Sequence, residues 1–396
     1  MKLILTLSVL VAAVMAEQDP KQLDNLLREG NNQFTARMFS EVVKSNPDKS
    51  VVLSAFSVLT PLAQLSLASE GASHDELLKA IGLPNDNVTK LVFPRLNEEL
   101  KSVKGVELKT ASKIYVADGS ELNPEFSAIT KDIFNSEVKN VDFTKSTETA
   151  KEINTWVEDQ TNNRIKDLVS ADDLSSDTRS VLVNAIYFKG KWDSPFKKES
   201  TKDEDFHVSK DKTIKVPMMH VQGDFKYADS DELNAQLLEM PYEGGEASFI
   251  VILPKEVDGI AALVDKLKDP SALESATSKM YTFDVNVSLP KFKIETKTDL
   301  KDVLLKMDVK RVFDPQQAQL SRLLKGEGNL FVSKAIQKAF IEVNEEGAEA
   351  AAANEIVIMK GSALRPRQRV TFHADNAFIF ILRAHQNIIF NGVYVL

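Results

Sequence analysis

Apolar and polar residues follow a helical period in some segments and a strand period in others, which predicts a mixed α+β protein. Helical spacing, as for Leu23, Leu27, Phe34 and Met38, predicts helices over 22–43, 59–68, 73–81, 88–104, 123–134, 147–162, 257–276 (broken at Pro270) and 300–309. Alternating or continuous apolar runs predict strands over 51–53, 106–116, 137–143, 180–190, 206–216, 225–228, 235–241, 247–254, 283–295, 335–343 and 370–396. Because no repeat or low-complexity linker interrupts these segments, we predict one domain.

The segment 180–190 is almost wholly apolar, which is typical of a central strand buried on both faces. Asn184 is a polar residue within it and must find hydrogen-bond partners. Ser54 precedes an apolar helix and is a plausible N-cap.

About 25 residues after the strand 335–343 have no predicted strand partner, which is uncommon in a compact domain and usually functional. Ala348 to Ala353 favours a short surface helix by composition. Written as a strand, the same segment places the small residues Ala348, Ala350 and Ala352 on one face, with Glu349 and Glu355 on the other. Both structures remain open from the residues alone, although Gly347 would suit a hinge.

Composition and charge exclude several classes of protein. With 43% hydrophobic residues the 396-residue chain can bury a large core, and its net charge of -9 argues against nucleic acid as a partner. The chain has no cysteine, which excludes disulfide scaffolds, thiolate zinc sites and cysteine proteases. We predict no cofactor and no metal site.

The first 16 residues are typical of a secretory signal peptide. Lys2 precedes the apolar run 3–15 and Ala16 precedes Glu17, and this run is too short to span a membrane. We therefore predict a signal peptide over 1–16, a secreted single domain over 17–396 and no membrane partner. Asn87 and Asn286 begin glycosylation sequons, and we favour Asn87 because Asn286 falls in a predicted strand.

No catalytic motif is present. The five histidines, at positions 74, 207, 220, 373 and 385, lie in unlike contexts without metal-ligand spacing. The chain has no Gly-x-Ser-x-Gly elbow, His-Glu-x-x-His helix or phosphate-binding loop. We therefore predict that the protein is not an enzyme.

The sequence Glu-Glu-Gly-Ala-Glu-Ala-Ala-Ala-Ala over 345–353 resembles the proximal hinge of inhibitory serpins, such as secreted insect antitrypsin-like serpins. The segments 153–168, 180–196, 240–245, 249–254 and 283–295 also resemble serpin segments. The resemblance implies the serpin fold, with three β-sheets, eight or nine helices and an exposed reactive loop at about 345–369. It implies a hinge formed by Glu346, Gly347, Ala348, Glu349, Ala350, Ala351, Ala352 and Ala353.

The resemblance also assigns a region where the main sheet opens. It comprises Ser54, Ser57, Asn184, Lys189, Gly190, Trp192 and Gln337. The alternative roles are a plain cap and a solvated serine for Ser54 and Ser57, and core filling for Trp192. Many serpins carry a histidine where Gln337 stands, so the polar cluster differs here. The basic residues of 88–104 are mixed with acids and interrupted by Pro94, so we do not predict a heparin site.

In serpins a protease cleaves the reactive loop, which then inserts into the main sheet and traps the acyl-enzyme. The resemblance thus implies a monomeric inhibitor that forms a covalent complex with a serine protease. Serpin spacing places the reactive bond at Gly361–Ser362, whereas side-chain chemistry favours Lys360 or Met359 as the residue attacked. The alternative function is a non-inhibitory serpin-fold binding or carrier protein. Such proteins usually interrupt the alanine run, and 350–353 is uninterrupted.

Overall fold

The computed structural model describes residues 20–326, 330–348 and 369–395. Within these ranges there are nine α-helices: α1 (Pro20–Ser45), α2 (Ala55–Ala68), α3 (Gly71–Ile81), α4 (Asp86–Ser102), α5 (Pro124–Phe134), α6 (Ser146–Gln160), α7 (Ile260–Lys266), α8 (Pro270–Ser278) and α9 (Leu300–Lys306). The strands are β1 (Val51–Leu53), β2 (Val106–Ala117), β3 (Glu137–Val141), β4 (Ser180–Lys191), β5 (Lys202–Ser209), β6 (Lys212–Ser230), β7 (Ala235–Pro241), β8 (Ala247–Pro254), β9 (Tyr281–Pro290), β10 (Phe292–Asp299), β11 (Lys334–Val343), β12 (Gly347–Ala348), β13 (Arg369–His373), β14 (Phe378–Ala384) and β15 (Asn387–Tyr394). The predicted α+β class is confirmed.

A six-stranded sheet positions the functional region. Its strand order is β10-β11-β4-β2-β3, and β12 pairs with β4 beside this path. β4 lies antiparallel to β2 and parallel to β11. As its continuous apolar sequence predicts, nearly every residue of β4 is buried, because the sheet is covered on both faces.

A nine-stranded sheet forms the rest of the β-structure. Its order is β1-β15-β14-β8-β7-β6-β9-β13, with β5 paired to β6. The 19-residue strand β6 pairs with β5, β9 and β7 at successive positions along its length. Two of the three predicted sheets are therefore joined through β6 into one hydrogen-bonded sheet.

The predicted strand 283–295 is two strands in different sheets. β9 ends at Pro290, and β10 begins at Phe292 in the six-stranded sheet. Proline has no N–H to continue the ladder, so the chain can leave the sheet there. The ring of Phe292 packs against Phe378 and Tyr394 of the nine-stranded sheet, which holds the two sheets together.

Two helices cover the faces of the six-stranded sheet. The N-terminus of α2 lies against the inner face, and Ser54 caps it by accepting a hydrogen bond from Ser57 N at 3.1 Å. On the outer face, Ile153 and Val157 of α6 form a separate core cluster with outward-facing residues of β2, β4 and β11. No helix within the described ranges is long and apolar enough to cross a membrane.

Candidate functional site

The candidate site is the line between β4 and β11, which we call the seam. The two strands pair in parallel up to Tyr187 and Phe340. Beyond that point they part, and β12 pairs antiparallel with β4 through Gly347 opposite Lys191 and Ala348 opposite Gly190. The first residues of the segment that follows β11 therefore already form strand hydrogen bonds at the end of the seam.

Gly347 occupies a position that only glycine fits. Its φ of 125° lies in a region that other residues rarely adopt. A Cβ there would lie 2.7 Å from Lys191 Cα and 2.9 Å from Trp192 N, and would overlap the carbonyl oxygen of Gly190. The predicted hinge glycine thus permits the close approach of β12 to β4.

Two glutamates anchor the turn before Gly347. Glu345 is buried, and its carboxylate accepts hydrogen bonds from Lys291 Nζ at 2.9 Å and from Thr201 Oγ1 at 2.9 Å. Burial alone would raise the pKa of Glu345, but the hydrogen bond from Lys291, together with backbone and Thr201 hydrogen bonds, holds this pKa below its ordinary value. Glu346 pairs with Lys198 at 2.5 Å.

Trp192 has two roles that sequence reasoning left as alternatives. Its indole is buried and stacks on Tyr242 with ring centroids 4.5 Å apart. Its Nε1 also donates to the carbonyl oxygen of Asn344 at 2.9 Å, and its backbone N donates to that of Glu346 at 3.1 Å. Trp192 therefore fills the core and also holds the turn that leads to β12.

A buried polar cluster, which we call the latch, joins the seam to the start of α2. It comprises Ser54, Ser57, Ser112, Asn184 and Gln337. Gln337 Nε2 lies 2.7 Å from Asn184 Oδ1 across the seam and 2.8 Å from the carbonyl oxygen of Ser54. Asn184 Nδ2 donates to Ser112 Oγ on β2 at 2.8 Å and to Ser57 O at 3.0 Å.

The latch is set by the strand register. Asn184 lies opposite Gln337 on one side and opposite Ser112 on the other, so three neighbouring strands direct polar side chains to one row. Ser54 and Ser57 are both buried within this row, so neither is a solvated serine. Gln337 contributes an amide that can both donate and accept hydrogen bonds.

Two predicted residues lie outside the latch. Gly190 pairs with Ala348, and a Cβ on it would lie 2.8 Å from the Tyr242 ring, so glycine is required by packing. Lys189 lies opposite Glu107 of β2. The alternation along β4 places Lys189 on the outer face of the sheet, whereas Asn184 lies on the inner face.

Sequence reasoning missed Lys291, Thr201, Lys198 and Ser112. Lys198 and Thr201 lie in the connection between β4 and β5, Lys291 lies between β9 and β10, and Ser112 lies on β2. All four are far in sequence from the residues that they contact. The paired glutamates Glu345 and Glu346 were a usable signal, because buried carboxylates require cationic or N–H partners.

Comparison with known proteins agrees with this geometry. The family model for serpins, described as serine protease inhibitors, matches residues 29–395. This chain belongs to the serpin family. The serpin is 56% identical over 395 residues to antitrypsin of Bombyx mori, covering 100% of both chains. It is 59% identical over 392 residues to alaserpin of Manduca sexta, covering 99% of each.

Solved serpin structures confirm the fold. The structure of serpin48 from the insect Tenebrio molitor is similar with a TM-score of 0.86 at 33% identity, covering 94% of this serpin and 98% of that chain. The family model describes serine protease inhibitors and not enzymes, so the prediction that this serpin is not an enzyme is confirmed. No group of three metal-ligating side chains that fits a metal ion occurs within the described ranges.

Several predicted sites lie outside the described residues. They are Glu349, Ala350, Ala351, Ala352 and Ala353 of the hinge, the reactive-bond candidates Met359, Lys360, Gly361 and Ser362, and the signal peptide 1–16. Of the two glycosylation candidates, Asn87 is exposed in the first turn of α4. Asn286 is half-buried on β9, between Gln222 of β6 and Thr371 of β13.

Proposed function

We propose that this serpin inhibits a serine protease as a suicide substrate. The protease attacks the segment 349–368, and the acylated segment then extends β12 along the seam between β4 and β11. The pairing of Gly347 and Ala348 with β4, at the point where β4 and β11 part, carries this proposal. Because this segment has already formed its first strand hydrogen bonds, strand pairing can extend from them without a separate nucleation step.

The register of β12 on β4 predicts which residues would lie opposite each other in the inserted form. Each residue after Ala348 would lie opposite one earlier residue of β4, so Ala350 would face Phe188 and Ala352 would face Ile186. Phe188 and Ile186 are buried in the main core, where small partners fit best. Further along, Asn354 would lie opposite Asn184.

Asn354 would therefore reach the latch. Gln337 and Asn184 now contact each other across the seam, and an inserted strand would separate them. An asparagine between them, with its side chain on the same face, offers both a donor and an acceptor to replace the contact. The latch would then be satisfied in the inserted state as well as in the native one.

The energetics favour insertion after cleavage. About ten inserted residues would form strand hydrogen bonds worth ~0.5–1.5 kcal/mol each, on the order of 10 kcal/mol together. Gly361 lies fourteen residues after Gly347. At about 3.3 Å for each residue, full extension of this segment would carry the acyl-enzyme on the order of 45 Å. Inhibition then requires that insertion outruns hydrolysis of the acyl ester.

The reactive bond that we propose is Gly361–Ser362, with Lys360 and Met359 as alternative attacked residues. We further propose secretion after removal of 1–16, glycosylation at Asn87 rather than Asn286, and a monomeric native state. Exposure of Asn87 supports glycosylation at this residue, and the short apolar leader supports secretion.

The decisive experiment is incubation of the mature protein with trypsin, chymotrypsin and elastase, followed by denaturing electrophoresis. An inhibitor forms an SDS-resistant complex, and mass spectrometry of the released C-terminal peptide identifies the bond. A peptide that begins at Ser362 supports Gly361–Ser362, whereas one that begins at Gly361 selects Lys360. Cleavage by all three proteases without any complex would contradict the proposal.

A carrier function is the second candidate, because one large cavity is lined by an arginine side chain with an unused hydrogen-bond donor. The cavity has about 770 Å³ and lies among α1, α8 and strands of the nine-stranded sheet. Arg383 lines it, and its Nε has no hydrogen-bond partner within the described ranges. Burial lowers the pKa of Arg383, whereas the nearby carboxylates of Glu239 and Glu274 raise it. A ligand carboxylate that reached the free Nε would add a charge-assisted hydrogen bond.

Binding of an amphipathic carboxylate tests this second candidate. Decanoate and a naphthyl carboxylate are suitable probes in isothermal titration calorimetry. Saturable binding that Arg383→Met abolishes supports a carrier site, with Arg179→Met as a surface control. No binding at millimolar probe concentration would contradict it.

A further inference from the structure

Two histidines on different strands face one carboxylate. His220 of β6 has its Nε2 3.0 Å from Glu204 Oε1, and His373 of β13 has its Nε2 3.5 Å from Glu204 Oε2. Both Nε2 atoms are buried, and neither makes a hydrogen bond within the described ranges. The two contacts are therefore contacts of charge, and their strength depends on whether the imidazoles are protonated. We call these three residues the clamp, because Glu204 of β5 joins β6 and β13.

The strand register builds the clamp. His220 lies opposite Ser288 of β9, and Ser288 lies opposite His373 on its other side. Residues directly opposite each other on neighbouring strands share a face of the sheet, so both imidazoles project from the same face. Ser288 Oγ lies 3.0 Å from His220 Nδ1, and this contact fits a ring orientation in which Nε2 faces Glu204.

The clamp reaches an edge strand. β13 has five residues and pairs with β9 alone among the described strands. Phe372 is buried in the core, and Arg369 pairs with Asp284 at 3.2 Å at the start of the strand. His373, at the end of β13, ties the strand to β5, which is not its neighbour in the sheet.

β13 is the first strand after the segment 349–368, which contains the proposed reactive bond. β12 holds the start of this segment against β4, and β13 holds its end against β9. While β13 stays paired, the uncleaved segment is therefore fixed at both ends.

The surrounding charges do not replace the histidines. Along the neighbouring strand positions the charged side chains are Lys202, Asp203, Asp205, Lys215, Asp224, Asp284, Lys291, Arg369 and Asp375. Lys215 pairs with Asp205 at 2.9 Å, and Lys291 pairs with Glu345 at 2.9 Å. Histidine is the side chain whose charge ordinarily changes between about pH 5 and 8, so a pH change in this range acts on the clamp through His220 and His373.

His207 of β5 provides a matched control in the same region. Its Nδ1 lies 3.1 Å from Thr213 Oγ1, and strand alternation places its side chain on the opposite face from Glu204. Its backbone N donates to the carbonyl oxygen of Asp375 at 2.6 Å, a contact that a side-chain substitution leaves in place.

Protonation strengthens the clamp. An imidazolium 3.0–3.5 Å from a carboxylate is attracted to it by charge, whereas a neutral imidazole is not. For His373 the attraction exists while β13 is paired and is lost when the strand detaches, so a bound proton favours the paired strand. The stabilisation is therefore present on the acid side of the histidine titration and is lost as the pH rises through it.

We propose that Glu204, His220 and His373 are positioning residues that hold β13 more tightly as the pH falls from about 8 to about 6. Glu204 attracts the imidazolium of His373, and His220, oriented by Ser288, keeps the carboxylate in place. The consequence for inhibition rests on the function proposed above. A tighter β13 keeps the uncleaved segment out of the seam, so the active inhibitor lasts longer at mildly acid pH.

Hydrogen exchange of the mature protein, read by mass spectrometry on peptides that contain 369–376, tests the clamp without any protease. Exchange rates at about pH 6 and about pH 8, each divided by the intrinsic rate at that pH, give the frequency with which β13 opens. His373→Gln and Glu204→Gln keep a polar side chain but remove the charge pair, and His207→Gln is the control. His373→Lys carries a positive charge at both pH values.

We expect β13 to open about threefold less often at about pH 6 than at about pH 8 in the wild type and in His207→Gln. This ratio should fall to about one in His373→Gln and Glu204→Gln, and His373→Lys should hold β13 equally well at both pH values. Peptides of the central strand β8 should show no such ratio. A wild-type ratio in His373→Gln, or loss of the ratio in His207→Gln as well, would overturn the proposal.

The consequence for inhibition is tested separately. Mature protein is held at each pH without protease, and the fraction that still forms an SDS-resistant complex is followed with time. We expect this fraction to fall about threefold more slowly at about pH 6, with no such difference in His373→Gln. Equal rates of loss in the wild type would overturn the role of the clamp in inhibition. Absence of any complex would overturn the proposed function, whereas the exchange measurement would still decide whether the clamp holds β13.

Discussion

Gln337 and Asn184 lie opposite each other on the parallel strands β11 and β4, and Gln337 Nε2 lies 2.7 Å from Asn184 Oδ1. Both side chains are fully buried. The contact closes the seam on the inner face, directly above the capped start of α2. Opening of the seam must break it, so a new polar partner has to be supplied from the inserted strand.

Asn354 is the partner that the register assigns, so Asn354→Ala should weaken the inserted state alone. We expect the cleaved form to lose about 1–3 kcal/mol of unfolding free energy, because the amides of Asn184 and Gln337 are then left without a bridge. The native form should be unchanged. Guanidinium unfolding of both forms measures this.

Glu355→Ala is the control for Asn354→Ala, since its side chain would lie on the opposite face of the inserted strand. It should leave the latch intact. Equal losses in the two variants, or a loss in the native form of Asn354→Ala, would contradict the register.

Ala350→Glu should convert the inhibitor into a substrate. In the inserted strand its carboxylate would face Phe188 in the core, at a cost of several kcal/mol, so hydrolysis of the acyl-enzyme would outrun insertion. Electrophoresis should show cleaved protein in place of the covalent complex.

Ala350→Val separates charge from size, because valine is apolar and strand-forming. It should keep forming the complex. Complex formation by Ala350→Glu at the wild-type stoichiometry would show that residue 350 does not enter the core.

Gly347→Ala should raise the number of inhibitor molecules consumed for each protease trapped. A methyl group at a φ of 125° would be strained and would overlap the backbone of β4, so β12 could not keep its pairing. Titration of a fixed amount of protease with the variant measures this number.

Gly245→Ala is the matched control for backbone strain. Gly245 also has a positive φ, of 73°, but a Cβ added there would meet no atom within 4 Å. It should lower stability slightly and leave the stoichiometry unchanged. An unchanged stoichiometry in Gly347→Ala would argue against β12 as the starting point of insertion.

Glu345 should make native stability depend on acid pH. Its folded-state pKa is lowered, so its contribution is complete above the unfolded pKa of about 4.3 and is lost as the pH falls through the folded value. The difference in unfolding free energy between wild type and Glu345→Gln should therefore be largest near neutrality and shrink below about pH 4.5.

Urea unfolding between neutral and acid pH measures this difference. Glu98→Gln, on the exposed face of α4, is the control and should show no such trend. A difference between wild type and Glu345→Gln that stays constant over the whole range would show that the Lys291 contact does not act on the ionised carboxylate.

The sequence predicted the parts of this site that depend on local pattern. The apolar run around Asn184 indicated a buried central strand, and the polar residue within it indicated a hydrogen-bonded cluster. The small residues beside Gly347 indicated a segment able to enter a sheet. These inferences need only side-chain period, size and backbone freedom.

Contacts between distant segments could not be predicted in this way. Lys291 reaches Glu345, and Lys338 reaches the backbone of Lys166, only because the fold brings separate strands and loops together. The division of 281–299 between two sheets was missed for the same reason. Its alternation continues through the turn at Pro290, so periodicity alone indicated a single strand.

Inhibition by this route requires that the segment after β12 inserts along the seam once it is cleaved. Thermal unfolding of the native protein and of protein cleaved by trypsin within 349–368 tests it most directly. We predict that cleavage raises the melting temperature by at least ~15 °C, since about ten residues gain strand hydrogen bonds. A melting temperature that is unchanged or lower after cleavage would contradict the claim.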